Sequence, residues 1–251
     1  MLAYRSEIYL WVIAHIFPFI MMGVWTTAAQ GGDPTKFSLT PADYGRYFVA
    51  IFIVRQFSVV WMIYEFEWHI VEGRLSYFLL RPMNALWHYV SGHFAEQAAR
   101  FPFFVGCVIL FFLLYPTAFW WPTPASVIFG IVAIYAAFSL RFALQYCFAM
   151  ANFWMERASA IDSLSYLPYV FLSGMVAPLS DYSPGVAAFA MWTPFPYLLY
   201  FPAQIMMGKL TPSSPGLWQG FGIMALWFLA LSALGSFLWH RGLRRFSAQG
   251  G

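Results

Sequence analysis

Glu65-Phe66-Glu67-Trp68-His69-Ile70-Val71-Glu72-Gly73-Arg74 lies between an apolar run ending near Ile63 and another beginning near Phe101, in a chain that is 61% hydrophobic and only 9% charged. On a helix, where every third or fourth residue shares a face, Ile63, Phe66 and Ile70 fall on one side and Glu65, His69 and Glu72 on the other. The pattern leaves two readings open: an amphipathic helix resting on lipid headgroups, or a docking element kept for something in water.

The flanks of this segment set the fold class. A soluble domain carries about 25% charged residues; this chain, with 28 Phe, 15 Tyr and 12 Trp in 251 residues, reads instead as an all-α integral membrane protein. Five runs reach the roughly 20 apolar residues that a bilayer crossing takes: residues 8–29, 44–64, 101–115 with the turns before them, 126–154 and 217–239. A sixth, residues 160–177, is shorter and less apolar. Thr27-Ala28-Ala29 resembles a signal-peptide cleavage site, but the hydrophobic region before it is too long for one, so the first run is read as a retained span. The net charge of +3 is scattered through loops rather than gathered on one element, which argues against nucleic acid as a partner. Cys107 and Cys147 sit inside apolar runs as small hydrophobes, and no disulfide or metal framework follows from them.

Charge also orients the spans. Arg74, Arg81 and Arg100 follow the second run, Arg157 the fourth, and Arg241, Arg244 and Arg245 the last, with Arg5 before the first; the opposite loops hold Lys36, Arg46 and Lys209. The positive-inside rule puts both termini and the Glu65 segment in the cytosol, which takes six crossings. Residues 178–216 hold seven of the 16 prolines and break into pieces too short to span. Ser183 suits an N-cap ahead of Pro184, so residues 184–192 and 197–207 are expected to form two short helices. Counting them as one crossing would send the last arginines outside, so the expectation is a helical hairpin over residues 178–210 that dips into the outer leaflet. Backbone irregularity at that depth needs protein or a watery cavity to cover it. The uncharged loop of residues 115–124, with Phe119, Trp120 and Trp121, reads as an interfacial aromatic belt. Gly31-Gly32-Asp33-Pro34 reads as a turn. No internal repeat is visible, and residues 1–251 read as one domain.

Few residues offer chemistry. There is no Gly-x-x-x-x-Gly-Lys-Ser/Thr loop, no His-Glu-x-x-His, no Gly-x-Ser-x-Gly and no carboxylate pair inside a span, so neither nucleotide cradling nor metal or covalent catalysis is indicated. His15, three residues before Pro18, is either a polar contact between helices or a proton carrier. Arg55 and Arg141 fall well inside the bilayer, where a lone arginine costs about 2.5 to 3.5 kcal/mol. With Gln56 beside the first and Gln145 one turn from the second, a polar seam between the second and fourth spans is expected, with no acidic residue at matching depth. Each guanidinium either caps backbone carbonyls or meets an anionic group of a cargo. Glu156, Arg157 and Asp162 bracket the turn into the fifth span, as a solvated loop with Asp162 favouring a helix N-terminus or as a second contact for a cytosolic partner.

Several blocks in order carry a resemblance: Glu72-Gly73-Arg74-Leu75, Leu79-Leu80-Arg81-Pro82, Phe153-Trp154-Met155-Glu156-Arg157-Ala158, Leu172-Ser173-Gly174, Ala177-Pro178-Leu179, Trp192-Thr193-Pro194-Phe195-Pro196-Tyr197 and Tyr200-Phe201-Pro202. Together they resemble the bacterial permeases of ABC-2 type exporters, and more narrowly the six-span subfamily encoded as a pair beside a separate ATPase. The resemblance extends from about Leu2 to Arg241-Gly242-Leu243-Arg244-Arg245-Phe246-Ser247-Ala248.

The resemblance implies a bacterial inner-membrane exporter. Two permease subunits, either a paralogous pair, which the subfamily favours, or a homodimer, would form the pathway between their first, second and fifth spans. A cytosolic ATPase dimer would carry the ATP and Mg, with no cofactor bound by this non-catalytic chain. It also implies that residues 65–74 are the coupling helix, with Glu65, Glu67, His69, Glu72, Arg74 and Arg81 facing the ATPase and Glu156 and Arg157 nearby. The hairpin, with Pro178, Trp192, Pro194, Pro196 and Tyr197, would be a re-entrant outward gate. Relatives begin with a longer basic amphipathic helix than the few residues found here before the first span. The aromatic outer half hints at lipidic or amphipathic cargo and at contact with membrane lipid. Three rivals stand beside the exporter: a secondary transporter, which calls for inverted repeats or midplane acids, an intramembrane lipid-modifying enzyme, which calls for convergent catalytic groups, and an assembly subunit without a pathway.

Overall fold

Ten α-helices follow one another among the described residues: α1 (Leu2–Gly31), α2 (Pro41–Ser58), α3 (Met62–Val71), α4 (Leu75–Leu79), α5 (Leu86–Leu114), α6 (Pro124–Met150), α7 (Ser159–Leu172), α8 (Pro184–Met191), α9 (Tyr200–Met206) and α10 (Pro215–Leu243). The computed structural model describes residues 2–33 and 36–246, with side chains from Ile16 onward, and no strand occurs among them. Among the described residues four stretches are long and apolar enough to cross a membrane: Pro41–Val71, Leu86–Leu114, Pro124–Phe153 and Pro215–Arg245. A helix suits that medium because it satisfies its own backbone groups where water cannot.

The helices α2 and α6 form the centre. Within their most apolar windows 67% and 50% of residues are buried, against 11% for α5 and 17% for α10, which lie at the periphery. Both central helices start on a threonine cap followed by proline: the Thr40 hydroxyl accepts from Asp43 N at 3.2 Å and the Thr123 hydroxyl from Ser126 N at 3.2 Å. Tyr47, Phe48 and Ile51 of α2 meet Ala133 and Leu140 of α6 and Ile205 of α9 in the main core. A second core gathers at the α3 end, where Met62, Ile63 and Phe66 pack with Tyr89, Met150 and Phe153. There Gly242 of α10 is required by close approach, since a Cβ on it would lie 2.0 Å from the Phe153 ring.

The second apolar run is not one helix, contrary to the expectation for residues 44–64. The first part stops at Ser58, Val59 is extended (φ −71°, ψ 133°), and α3 begins only at Met62. An interruption among apolar helices leaves backbone groups to be satisfied by side chains, and α5 supplies them. Gln97 Nε2 donates to Phe57 O at 2.8 Å, and His93 Nε2 accepts from Trp61 N at 2.8 Å. His93 Nδ1 lies 2.7 Å from Tyr89 O, which can only accept, so the ring is neutral with its hydrogen on Nδ1. Both side chains are buried. They are also why α5 runs back to Leu86, well before the apolar run that begins at Phe101.

The run of residues 160–177 is helical only over Ser159–Leu172. The chain turns at Gly174, whose φ of +85° is one that side-chain-bearing residues rarely adopt. Its carbonyl accepts from Tyr47 Oη at 2.7 Å, and Ser173 O accepts from Tyr200 N at 3.0 Å. That last bond breaks the helix expected over residues 197–207 into a 3-10 turn, Phe195–Leu198, and α9, with Leu199 between them at φ −135°. Ser183 stands at the N-cap of α8 but its hydroxyl makes no capping bond. Asp181 ties this region to the start of α2, accepting from Ser38 N at 2.8 Å and from Tyr44 Oη at 2.6 Å.

Replacing His93 with Leu takes away the acceptor that the Trp61 amide hydrogen uses. The expected loss is about 1–3 kcal/mol, read as a lower midpoint in denaturant titration of the purified protein.

Candidate functional site

On α3 the apolar face packs as its spacing dictates: the Phe66 ring lies 5.7 Å from Phe153 and 6.2 Å from Trp239. His69 departs from the expected polar face. It is only 5% exposed, because α4 and α5 cover that side of α3, and its Nδ1 is 2.9 Å from Tyr89 Oη. Glu67 turns toward α7, accepting from Ser159 N at 2.8 Å and Ser159 Oγ at 3.1 Å, a carboxylate at the positive end of a helix. Glu65 pairs with His88 of α5 at 3.3 Å. The guanidinium of Arg74 stacks 4.2 Å above Trp68, and that of Arg81 lies 5.2 Å from the Phe78 ring. Gly73, at φ +67°, ends the segment, so the regular helix stops at Val71 and Glu72-Gly73-Arg74 is a turn.

An open groove of ≈ 820 Å³ lies beside this turn. Glu72 and Gly73 form one wall, Trp154, Met155, Glu156 and Arg157 another, and Arg245 and Phe246 from beyond α10 a third. Glu72, Glu156, Arg157 and Arg245 are all exposed. Three distant parts of the sequence thus present both signs of charge around one depression, with Phe153 as its apolar side.

A smaller pocket of ≈ 320 Å³ opens where α2 gives way to α3. Val59, Val60 and Trp61 of the interruption line it with Arg55, Arg141, Tyr64, Asp162, Tyr166 and Tyr169. The expected seam of arginines is therefore one cavity, and the expectation that no acid shares their depth is corrected: α7 brings Asp162 to them. Asp162 accepts from Gln145 Nε2 and, at 3.3 Å, from Tyr64 Oη. Gln145 is consequently a partner of the acid rather than of Arg141. The Arg141 guanidinium lies 4.1 Å from the Tyr169 ring centroid, and its Nε is buried without a hydrogen-bond partner. Gln56 is buried but does not line the cavity, and its Oε1 has no hydrogen-bond partner. Two guanidinium groups and one carboxylate thus line the same cavity.

At the far end, Pro178, Pro194, Pro196 and Tyr197 are buried, whereas Trp192 is 84% exposed. Of the two short helices there, α9 is buried between α2 and α6, and α8 shows Val186, Phe189 and Met191 on the surface. Burial holds the Tyr182 hydroxyl above its ordinary pKa, so it stays a donor to Phe171 O at 2.7 Å. The side chain of His15 lies outside the described residues.

Sequence reasoning missed His88, His93 and Gln97. They sit in the part of α5 that precedes its apolar run, and nothing in their own spacing shows that they face α3 rather than solvent. Asp162 reads from the sequence as a residue at a helix start, and nothing there shows that it faces the arginines.

A family model described as ABC-2 family transporter protein matches residues 43–250. Neither the curated proteins nor the solved structures give a match. Replacing Glu67 with Ala removes the acceptor at the start of α7, and the expected cost is about 0.5–2 kcal/mol, measured as a lowered thermal midpoint; an unchanged midpoint would show that Ser159 is equally well served by water.

Proposed function

The chain belongs to the ABC-2 family of transporter proteins and is a multi-pass membrane protein, and from that premise we propose that it is the permease subunit of an ATP-driven exporter. In this reading six crossings, the short α7 among them, put both termini and α3 on the cytosolic side of a bacterial inner membrane. The segment formed by α3 and the turn at Gly73 is the coupling element, a cytosolic ATPase dimer holds ATP and Mg, and a second, paralogous permease completes the pathway. Residues 178–210 form the re-entrant outer hairpin, with α9 buried and the apolar α8 turned to lipid. The cargo is lipidic or amphipathic, and the cavity of Arg55 and Arg141 lies on its route.

The observation that carries this reading is the convergence of Glu72, Glu156, Arg157 and Arg245 on one exposed groove at the α3 end. A surface with both charges around an apolar floor suits a protein partner: charges at the rim steer and register it, and the exposed Val71, Trp154 and Met155 offer apolar area to bury. Because α3 shares its core with α6, α7 and α10, a push on this groove reaches helices that line the bundle. ATP binding would close the ATPase dimer, and the permease halves would exchange between inward-closed and open arrangements. The secondary-transporter and lipid-enzyme alternatives do not call for such a surface.

A tagged chain should bring down an ATPase that carries a Walker motif. Substituting both Glu72→Lys and Glu156→Lys places like charges where the partner expects acids, and should lower ATPase recovery about tenfold or more with membrane insertion unchanged. Transport by the purified chain alone, with no ATPase present, would contradict the proposal.

A further inference from the structure

One side-chain cluster is used neither by the groove nor by the cavity. Glu65 and His69 stand one turn apart on α3, and His88 reaches them from the first turn of α5. One ligand atom from each lies within 4.8 Å of the other two. One of these separations, 3.3 Å between His88 Nε2 and Glu65 Oε1, equals the edge of about 3.3 Å that a tetrahedral ion with bonds near 2.0 Å requires between its ligands.

His69 gives the cluster its direction. It is 95% buried, with relative exposure of 5%, and among the described residues its hydrogen bond is the one between Nδ1 and Tyr89 Oη. With the Nδ1 hydrogen donated to the Tyr89 oxygen, the ring's lone pair is left on Nε2. A tyrosine hydroxyl behind a histidine is the kind of outer contact that fixes ring orientation and tautomer in metal sites. The Phe78 ring packs 4.7 Å from both histidine rings and shields one side of the cluster from water.

We propose that Glu65, His69 and His88 bind a divalent first-row transition ion, Zn²⁺ first among them, through two imidazole nitrogens and one carboxylate oxygen. Hard ions such as Mg²⁺ and Ca²⁺ prefer sites made wholly of oxygen, whereas two imidazoles and one carboxylate suit zinc. Three protein ligands leave a fourth position for water. The bound ion would staple α3 to α5 beside the interruption at residues 59–61, so that the two helices move together. The site needs neither cargo nor ATPase, and its test is independent of the exporter reading.

The experiment uses the full chain, purified in detergent, stripped with chelator and dialysed against Zn²⁺ or Co²⁺. One zinc per chain by elemental analysis, and intense visible bands of four-coordinate Co²⁺, are expected. His88→Ala and Glu65→Gln, both at partly exposed positions, should abolish the bands, while His240→Ala on α10 should retain them. Tyr89→Phe keeps all three ligands and should weaken the ion by about 10–100-fold. No bands in the parent chain, or equal uptake by His88→Ala, would overturn the site and reduce the cluster to a histidine–carboxylate ion pair.

Discussion

Two side chains of α5 allow the second apolar run to be two helices. His93 and Gln97 take the Trp61 amide and the Phe57 carbonyl, which would otherwise stand unsatisfied among apolar helices. Without those partners the continuous helix would win, because each lost backbone bond in such surroundings costs several kcal/mol. The interruption then serves two ends. It frees α3 to pack as a separate body against α6 and α7, and it opens the backbone wall of the cavity that holds Arg55 and Arg141. Irregular backbone among membrane helices is found where it lines a cavity or is covered by protein, and residues 59–61 meet both conditions.

The same logic explains how two arginines are tolerated near the centre of an apolar bundle. Arg55 occupies the last turn of α2, where the helix dipole favours a cation. Arg141 has a tyrosine face beneath it, and Asp162 supplies the opposite charge in the same cavity. The charges thus sit inside a cavity lined by protein rather than against lipid.

Much of the architecture was legible because a membrane helix must be long and apolar, and runs such as residues 126–154 meet that condition by themselves. The apolar face of α3 was legible from helical spacing, since Phe66 and Ile63 are the residues that pack. What could not be read came from tertiary partners. Val59-Val60-Trp61 contains no glycine or proline and looks like ordinary span; the acceptor and donor that permit its break lie more than thirty residues away. His69 looked polar because helical spacing assumes one covered face, whereas α4 and α5 cover a second. Asp162 reads from the sequence as the acid at a helix start, and it is one, in the first turn of α7; that it faces the arginines depends on how α7 packs, which its own sequence does not show. The split at Leu199 follows from a single bond, Tyr200 N to Ser173 O, between segments that hydropathy treats separately.

The central proposal is that the α3 end faces the compartment of the ATPase and the α8 end faces away. Labelling with a membrane-impermeant maleimide tests it directly, in a background where Cys107 and Cys147 are replaced by Ser and a single cysteine stands at Val71 or at Trp192, both exposed positions. Cysteine at 71 should react only in inside-out vesicles and cysteine at 192 only in intact cells. Reaction of position 71 from the outside of intact cells would contradict the account, because no cytosolic ATPase could then reach α3.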